Sequence, residues 1–183
     1  MAKVYVFLAE GFEEVESLTA VDLLRRAEIE VIIVSIIGQL EVKGARGIIV
    51  RADELFDNID VSDASMLILP GGQPGTRNLC AYKPLMKLLM KWNTTGGKVA
   101  AICAAPMILG ELGVLKGKKA TCHPGYECSL HGAQIIEERV ISDGNVTTSR
   151  GVGTAIPFAL ELITILSNKE IANKIKTAIV YED

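Results

Sequence analysis

Apolar and polar positions alternate along the chain in two rhythms. Val4 to Leu8, Val31 to Ile37, Ser65-Met-Leu-Ile-Leu-Pro70 and the run from Lys98 to Cys103 are short and almost unbroken in apolar character, as strands buried on both faces are. Between and after them the spacing turns helical. A polar turn from Ala9 to Ser17 leads into a helix through Ala27 that places Val15, Leu18, Val21 and Leu24 on one face. Further helices are predicted over Pro84 to Asn93, over a run that follows Cys103, over Gly153 to Ser167 and over Lys169 to Val180. Gly38 to Gly47 reads as a hairpin-like excursion continued by Ile48 to Val50, and Lys118 to Thr121 as a short strand. Val140-Ile141 and Val146 to Ser149 read as an antiparallel hairpin around Asp143-Gly-Asn145. Alternating strands and helices of this kind predict an α/β fold, a mostly parallel sheet covered by helices on both faces. Ligands of such sheets bind beyond the carboxyl ends of the strands. The Glu10 to Glu16 turn, the Gly71 to Gly75 loop and Cys103 all fall there.

Composition narrows the picture. At 183 residues, with 49% hydrophobic and 22% charged residues, one globular domain over 1–183 is expected. A net charge of -3 offers no basic field for nucleic acid. No apolar run reaches the length of a membrane span, and the apolar run at the amino terminus is too short for a secretory core, so a cytoplasmic protein is expected. In that reducing setting Cys80, Cys103, Cys122 and Cys128 are expected as free thiols.

The chemistry centres on Cys103. It ends a strand run and passes into a helix-forming run beginning at Ala104, the arrangement of a nucleophile elbow, with small Ala101 and Ala105 two positions either side. A helix N-terminus aimed at the sulfur favours thiolate; the competing reading is a buried structural cysteine. Pro70-Gly-Gly-Gln-Pro-Gly75 fits neither phosphate-loop pattern. Its glycines either form a plain tight turn or present backbone N–H groups that complete an oxyanion hole with that of Ala104. Glu13 and Glu14 fit helix capping, whereas Glu16 sits where it turns inward beside Val15 and Leu18. There it is either one more capping acid or a protonated carboxyl that donates to a thiolate. Cys122-His123 and Cys128-x-x-His131 lack the spacing of a zinc site, so no metal is expected. His123, at a strand end, reads as a pocket residue, and His131 as a surface helix residue.

Five segments in order, Ala9-Glu-Gly-x-Glu-Glu-x-Glu16, Leu69-Pro-Gly-Gly72, Ala101-Ile-Cys-Ala-Ala-Pro106, Thr121-Cys-His-Pro124 and Thr148-Ser-Arg-Gly-Val-Gly-Thr154, resemble the ThiJ/PfpI superfamily. They look most like its branch of the parkinsonism-associated protein deglycase and bacterial relatives. The resemblance implies a flavodoxin-like three-layer sandwich, a homodimer and no cofactor. It implies Cys103 as the reactive thiol, Glu16 as its protonated partner, Gly72 and Ala104 as backbone donors, and His123 at the pocket edge. Arg26 and Arg46 match arginines that bind substrate around that pocket near the dimer interface, and Arg150 lies in the matching Ser-Arg-Gly segment. Ala104 stands where the protease-like branch has histidine, which argues against peptidase activity. A late His-x-Glu of glutamine amidotransferases is missing after His123. Two roles follow from the resemblance: an enzyme acting on small reactive carbonyls such as glyoxals, or on their early adducts with amines and thiols, and a redox sensor or stress chaperone that uses oxidation of Cys103.

Overall fold

The computed structural model describes residues 2–182. Its elements are β1 (Lys3–Leu8), α1 (Glu14–Arg26), β2 (Glu30–Ser35), β3 (Glu41–Lys43), β4 (Ile49–Arg51), β5 (Glu54–Leu55), β6 (Met66–Leu69), α2 (Gly75–Ala81), α3 (Lys83–Thr94) and β7 (Lys98–Ile102). There follow α4 (Pro106–Glu111), β8 (Lys119–Ala120), β9 (Gln134–Ile135), β10 (Val140–Asp143), β11 (Val146–Ser149), α5 (Ala155–Leu166) and α6 (Lys169–Ala178).

The main sheet runs β10-β11-β7-β6-β1-β2-β5, and every pairing in it is parallel except β10 with β11. Side chains of a strand point alternately to the two faces. Thus Val4, Val6 and Leu8 of β1 pack with Leu24 of α1, Phe158 and Leu162 of α5 and Ile175 of α6. Tyr5 and Phe7 pack on the opposite face with Leu79 of α2, Leu85 and Leu89 of α3 and Ile108 of α4. This is the expected mostly parallel sheet between two helix layers. β3 and β4 pair antiparallel outside it, so the hairpin-like excursion expected over Gly38 to Gly47 takes in the Ile48 to Val50 run as its second strand.

Several local expectations change. α1 begins at Glu14 and buries Glu16, Ser17, Ala20, Val21, Leu23 and Leu24, leaving Val15 47% exposed. The apolar spacing failed there because the inward positions of the first turn are polar. α2, which follows the glycine loop directly, has no apolar periodicity to announce it. The helix after Cys103 starts at Pro106 and has six residues; Ala104 and Ala105 belong to the turn before it. His131 lies in a turn and not in a helix.

Candidate active site

Cys103 follows the last residue of β7 with φ 65°, a left-handed conformation that costs a non-glycine residue energy and persists only where surroundings fix it. Both of its backbone polar groups are fixed: its N–H donates to the Ser149 carbonyl at 2.9 Å, and its carbonyl accepts from the His123 N–H at 2.8 Å. The end of β11 and the bend at His123, three residues past the end of β8 and not at a strand end as expected, therefore hold the elbow. Gly71 makes the close approach possible, since a Cβ there would come 2.5 Å from Cys103 Cβ and 2.6 Å from Glu16 Oε2.

Glu16 is fully buried. Its Oε2 accepts from the Gly71 N–H at 3.0 Å, while Oε1 has no hydrogen-bond partner of ordinary length among the described residues. Burial, assisted by the negative Glu13, pushes the Glu16 carboxyl up to about 7, against the pull of the Cys103 and Gly71 hydrogen bonds. Burial and then the Glu16 charge push the Cys103 thiol up to about 12, against the backbone N–H groups of Gly72 and Ala104. Acid and thiol form one pair that loses its first proton near pH 7 and keeps the second far above it, and burial outweighs the turn's N–H groups. The helix expected to begin at Ala104 and favour thiolate starts at Pro106 and has six residues, so the N–H groups that oppose burial at the sulfur are those of Gly72 and Ala104 in the turns.

Glu13 and Glu14 do not cap α1 with their side chains. Glu14 Oε1 instead accepts from the Arg46 N–H at 2.7 Å and the Ile48 N–H at 3.3 Å, fastening the β3–β4 loop over the site. Glu13 faces the Arg46 guanidinium at 3.8 Å. Both roles depend on a loop about 30 residues downstream, which helix-start rules cannot see.

A cleft of about 560 Å³ opens over Cys103, lined by Glu13, Glu16, Arg46, Gly72, Gln73, Ala104, His123, Tyr126 and the segment from Arg150 to Thr154. His123 Nδ1 lies 2.9 Å from the Pro124 carbonyl, which can only accept, so Nδ1 carries a proton and Nε2 of the neutral ring is an acceptor. The His123 ring stands edge-on to Tyr126, and Gln73 Nε2 donates to Tyr126 Oη at 3.2 Å, linking two walls. Thr154 Oγ1 accepts from the Arg150 and Gly151 N–H groups at 3.2 and 3.0 Å, which shapes the last wall.

The DJ-1/PfpI family profile matches residues 2–165. The chain belongs to the DJ-1/PfpI family. It is 39% identical to the Arabidopsis thaliana protein DJ-1 homolog B over 97% of its own length, although it spans only 41% of that relative. It is 32% identical to the deglycase PfpI of Pyrococcus furiosus, with 90% of this chain and 99% of that one covered. The structure of oxidized Toxoplasma gondii DJ-1 superposes with a TM-score of 0.95 at 35% identity, over 100% of both chains.

Within this DJ-1/PfpI fold the cleft gathers Cys103, Glu16, Gly72, Ala104, His123 and Arg46. Arg26 is not among the residues that line it. It lies at the far end of α1, about 15 Å of helix beyond Glu16, and its Nε pairs with Asp22 at 2.7 Å. The substrate-binding expectation for Arg26 is not met within the chain. Gln73, Tyr126 and Thr154 were not legible as site residues. Arg150 was marked only by its place in the Ser-Arg-Gly segment.

Proposed function

We propose that this protein is a cysteine-dependent stress-response enzyme acting on reactive α-oxoaldehydes or on their early adducts with amines and thiols, without a cofactor. The observation that carries the reading is the pairing of Cys103, at a strained elbow, with the buried Glu16 carboxyl beneath the Gly72 and Ala104 N–H groups. With the pair's proton on Glu16, Sγ is the nucleophile. It attacks the aldehyde carbon, and the two N–H groups receive the oxygen that gains charge. Glu16 protonates that oxygen and, as the base so formed, moves the carbon-bound proton to the neighbouring ketone carbon, while the proton on the former aldehyde oxygen passes to the former ketone oxygen. A thioester results, and water releases the hydroxy acid and frees the sulfur. His123 Nε2, as an acceptor at the cleft edge, is placed to orient that water. Ala104 in place of histidine argues against a peptidase. The name of the Pyrococcus relative, a deglycase, supports this reading. Among the described residues no helix is long and apolar enough to cross a membrane.

Steady-state lactate formation from methylglyoxal, in buffer free of thiols and amines, tests it. Turnover by the wild type that disappears in Cys103→Ser is expected; equal rates for both, or none for either, reject it. A second reading, oxidation of Cys103 in a sensor or chaperone, rests on the same N–H groups, which suit sulfinate oxygens, and on the oxidized state named for the Toxoplasma relative.

A further inference from the structure

Two guanidiniums overlook the cleft from different elements, Arg46 from the loop between β3 and β4 and Arg150 from the segment after β11. Their contacts inside the protein are loose. Arg46 meets Glu13 at 3.8 Å with its own side chain 74% exposed, and Arg150 meets Glu137 at 4.0 Å, where the glutamate is 85% exposed. Such pairs contribute little and leave most of the fork of N–H donors unused. A cleft of about 560 Å³ is in the range that holds ligands of considerable size, and a three-carbon oxoaldehyde at Sγ leaves most of it empty.

We infer that the substrate of the Cys103 site is an anionic α-oxoaldehyde, whose carboxylate or phosphate tail lies between Arg46 and Arg150 while its aldehyde meets the sulfur. The inference rests on the carbonyl reading above and adds the substrate class. The net reaction consumes one water. The aldehyde carbon is oxidised to the acid and the adjacent ketone carbon is reduced to the alcohol, so no external oxidant or reductant takes part. Planar bidentate donors suit carboxylate and phosphate alike.

Two matched pairs of probes test it. Iodoacetate and iodoacetamide differ in charge at nearly equal size, and each reacts in one step in which Sγ bonds to the methylene carbon and iodide leaves. Mass mapping gives the iodoacetate-to-iodoacetamide rate ratio at Cys103, with exposed Cys128 as the internal reference. The ratio at Cys103 is expected to exceed that at Cys128 by about tenfold, to fall several-fold in Arg46→Gln/Arg150→Gln, and to recover largely in Arg46→Lys/Arg150→Lys. Equal ratios at the two cysteines, or a ratio unchanged in the glutamine variant, overturn the subsite. The second pair is 4,5-dioxopentanoate, which yields 2-hydroxyglutarate, and uncharged 2-oxopentanal, which yields 2-hydroxypentanoate. The wild type is expected to favour the former in kcat/KM, with the preference lost in the glutamine variant. Turnover of both without preference overturns the anionic tail alone. Turnover of neither, with the haloacetate preference intact, overturns the carbonyl chemistry and leaves an anion site on the thiol.

Discussion

Glu16 and Gly71 are joined by one hydrogen bond, the Gly71 N–H donating to Oε2 at 3.0 Å, and this bond brings a fully buried carboxyl to the cysteine elbow. Among the described residues the carboxyl's other oxygen has no partner of ordinary length, so the pair of Glu16 and Cys103 governs how the site holds its proton.

That proton gives stability a pH dependence. The folded-state value of Glu16 lies above its ordinary 4.5, at about 7, so folding takes up a proton between those values and stability falls as pH rises through that window. The change amounts to roughly 3 kcal/mol at most. Chemical denaturation between pH 4 and 8 is expected to show this decline in the wild type and a flatter profile in Glu16→Gln. Parallel profiles contradict the assignment.

Thiolate absorbance near 240 nm, with Cys103→Ser as blank, locates the proton. The proposed mechanism, with the proton on Glu16, predicts that the Cys103 signal rises as the pair loses its first proton near pH 7. A signal confined to the region near pH 12 places the neutral-pH charge on Glu16 and removes the protonated-donor role.

Gly71→Ala forces a Cβ against Cys103 Cβ and Glu16 Oε2, at 2.5 and 2.6 Å before any relaxation. Overpacking of this kind costs about 1–3 kcal/mol. The expected result is a lower denaturation midpoint together with altered iodoacetamide reactivity of Cys103, since the elbow has to shift. Wild-type values for both contradict the packing assigned to Gly71.

Glu14→Ala leaves the Arg46 and Ile48 N–H groups without their shared acceptor. A loss of about 1–3 kcal/mol is expected, with faster hydrogen exchange at those two amides before any change in the sheet. Unchanged protection at Arg46 rejects the fastening role.

The homodimer remains a proposal, and exposed apolar side chains mark its face. Val15 is 47% exposed and Ile48 55%, and Glu14 ties the Ile48 backbone to the start of α1 beside Val15. Light scattering at micromolar concentration is expected to give twice the chain mass, and Val15→Glu to shift it toward the monomer. A monomeric wild type rejects this.

The sequence by itself determined the layers and the position of the cysteine elbow. Unbroken apolar strands can be buried only in a sheet covered on both faces, and a cysteine at the end of one, followed by small residues, identifies the elbow. It also placed Glu16 on the inward side of α1, since helical spacing fixes which positions share a face. It misplaced Val15, because the inward face of the first turn is polar, and it misread Glu13 and Glu14, whose partners lie in a loop about 30 residues away. Tertiary structure alone decided the rest. It left Arg26 outside the cleft, brought Arg150, Gln73, Tyr126 and Thr154 to it, and set the proton affinities of Glu16 and Cys103. Those properties come from contacts between strand ends distant in the chain and from burial, neither of which has a period or a spacing that a sequence can display.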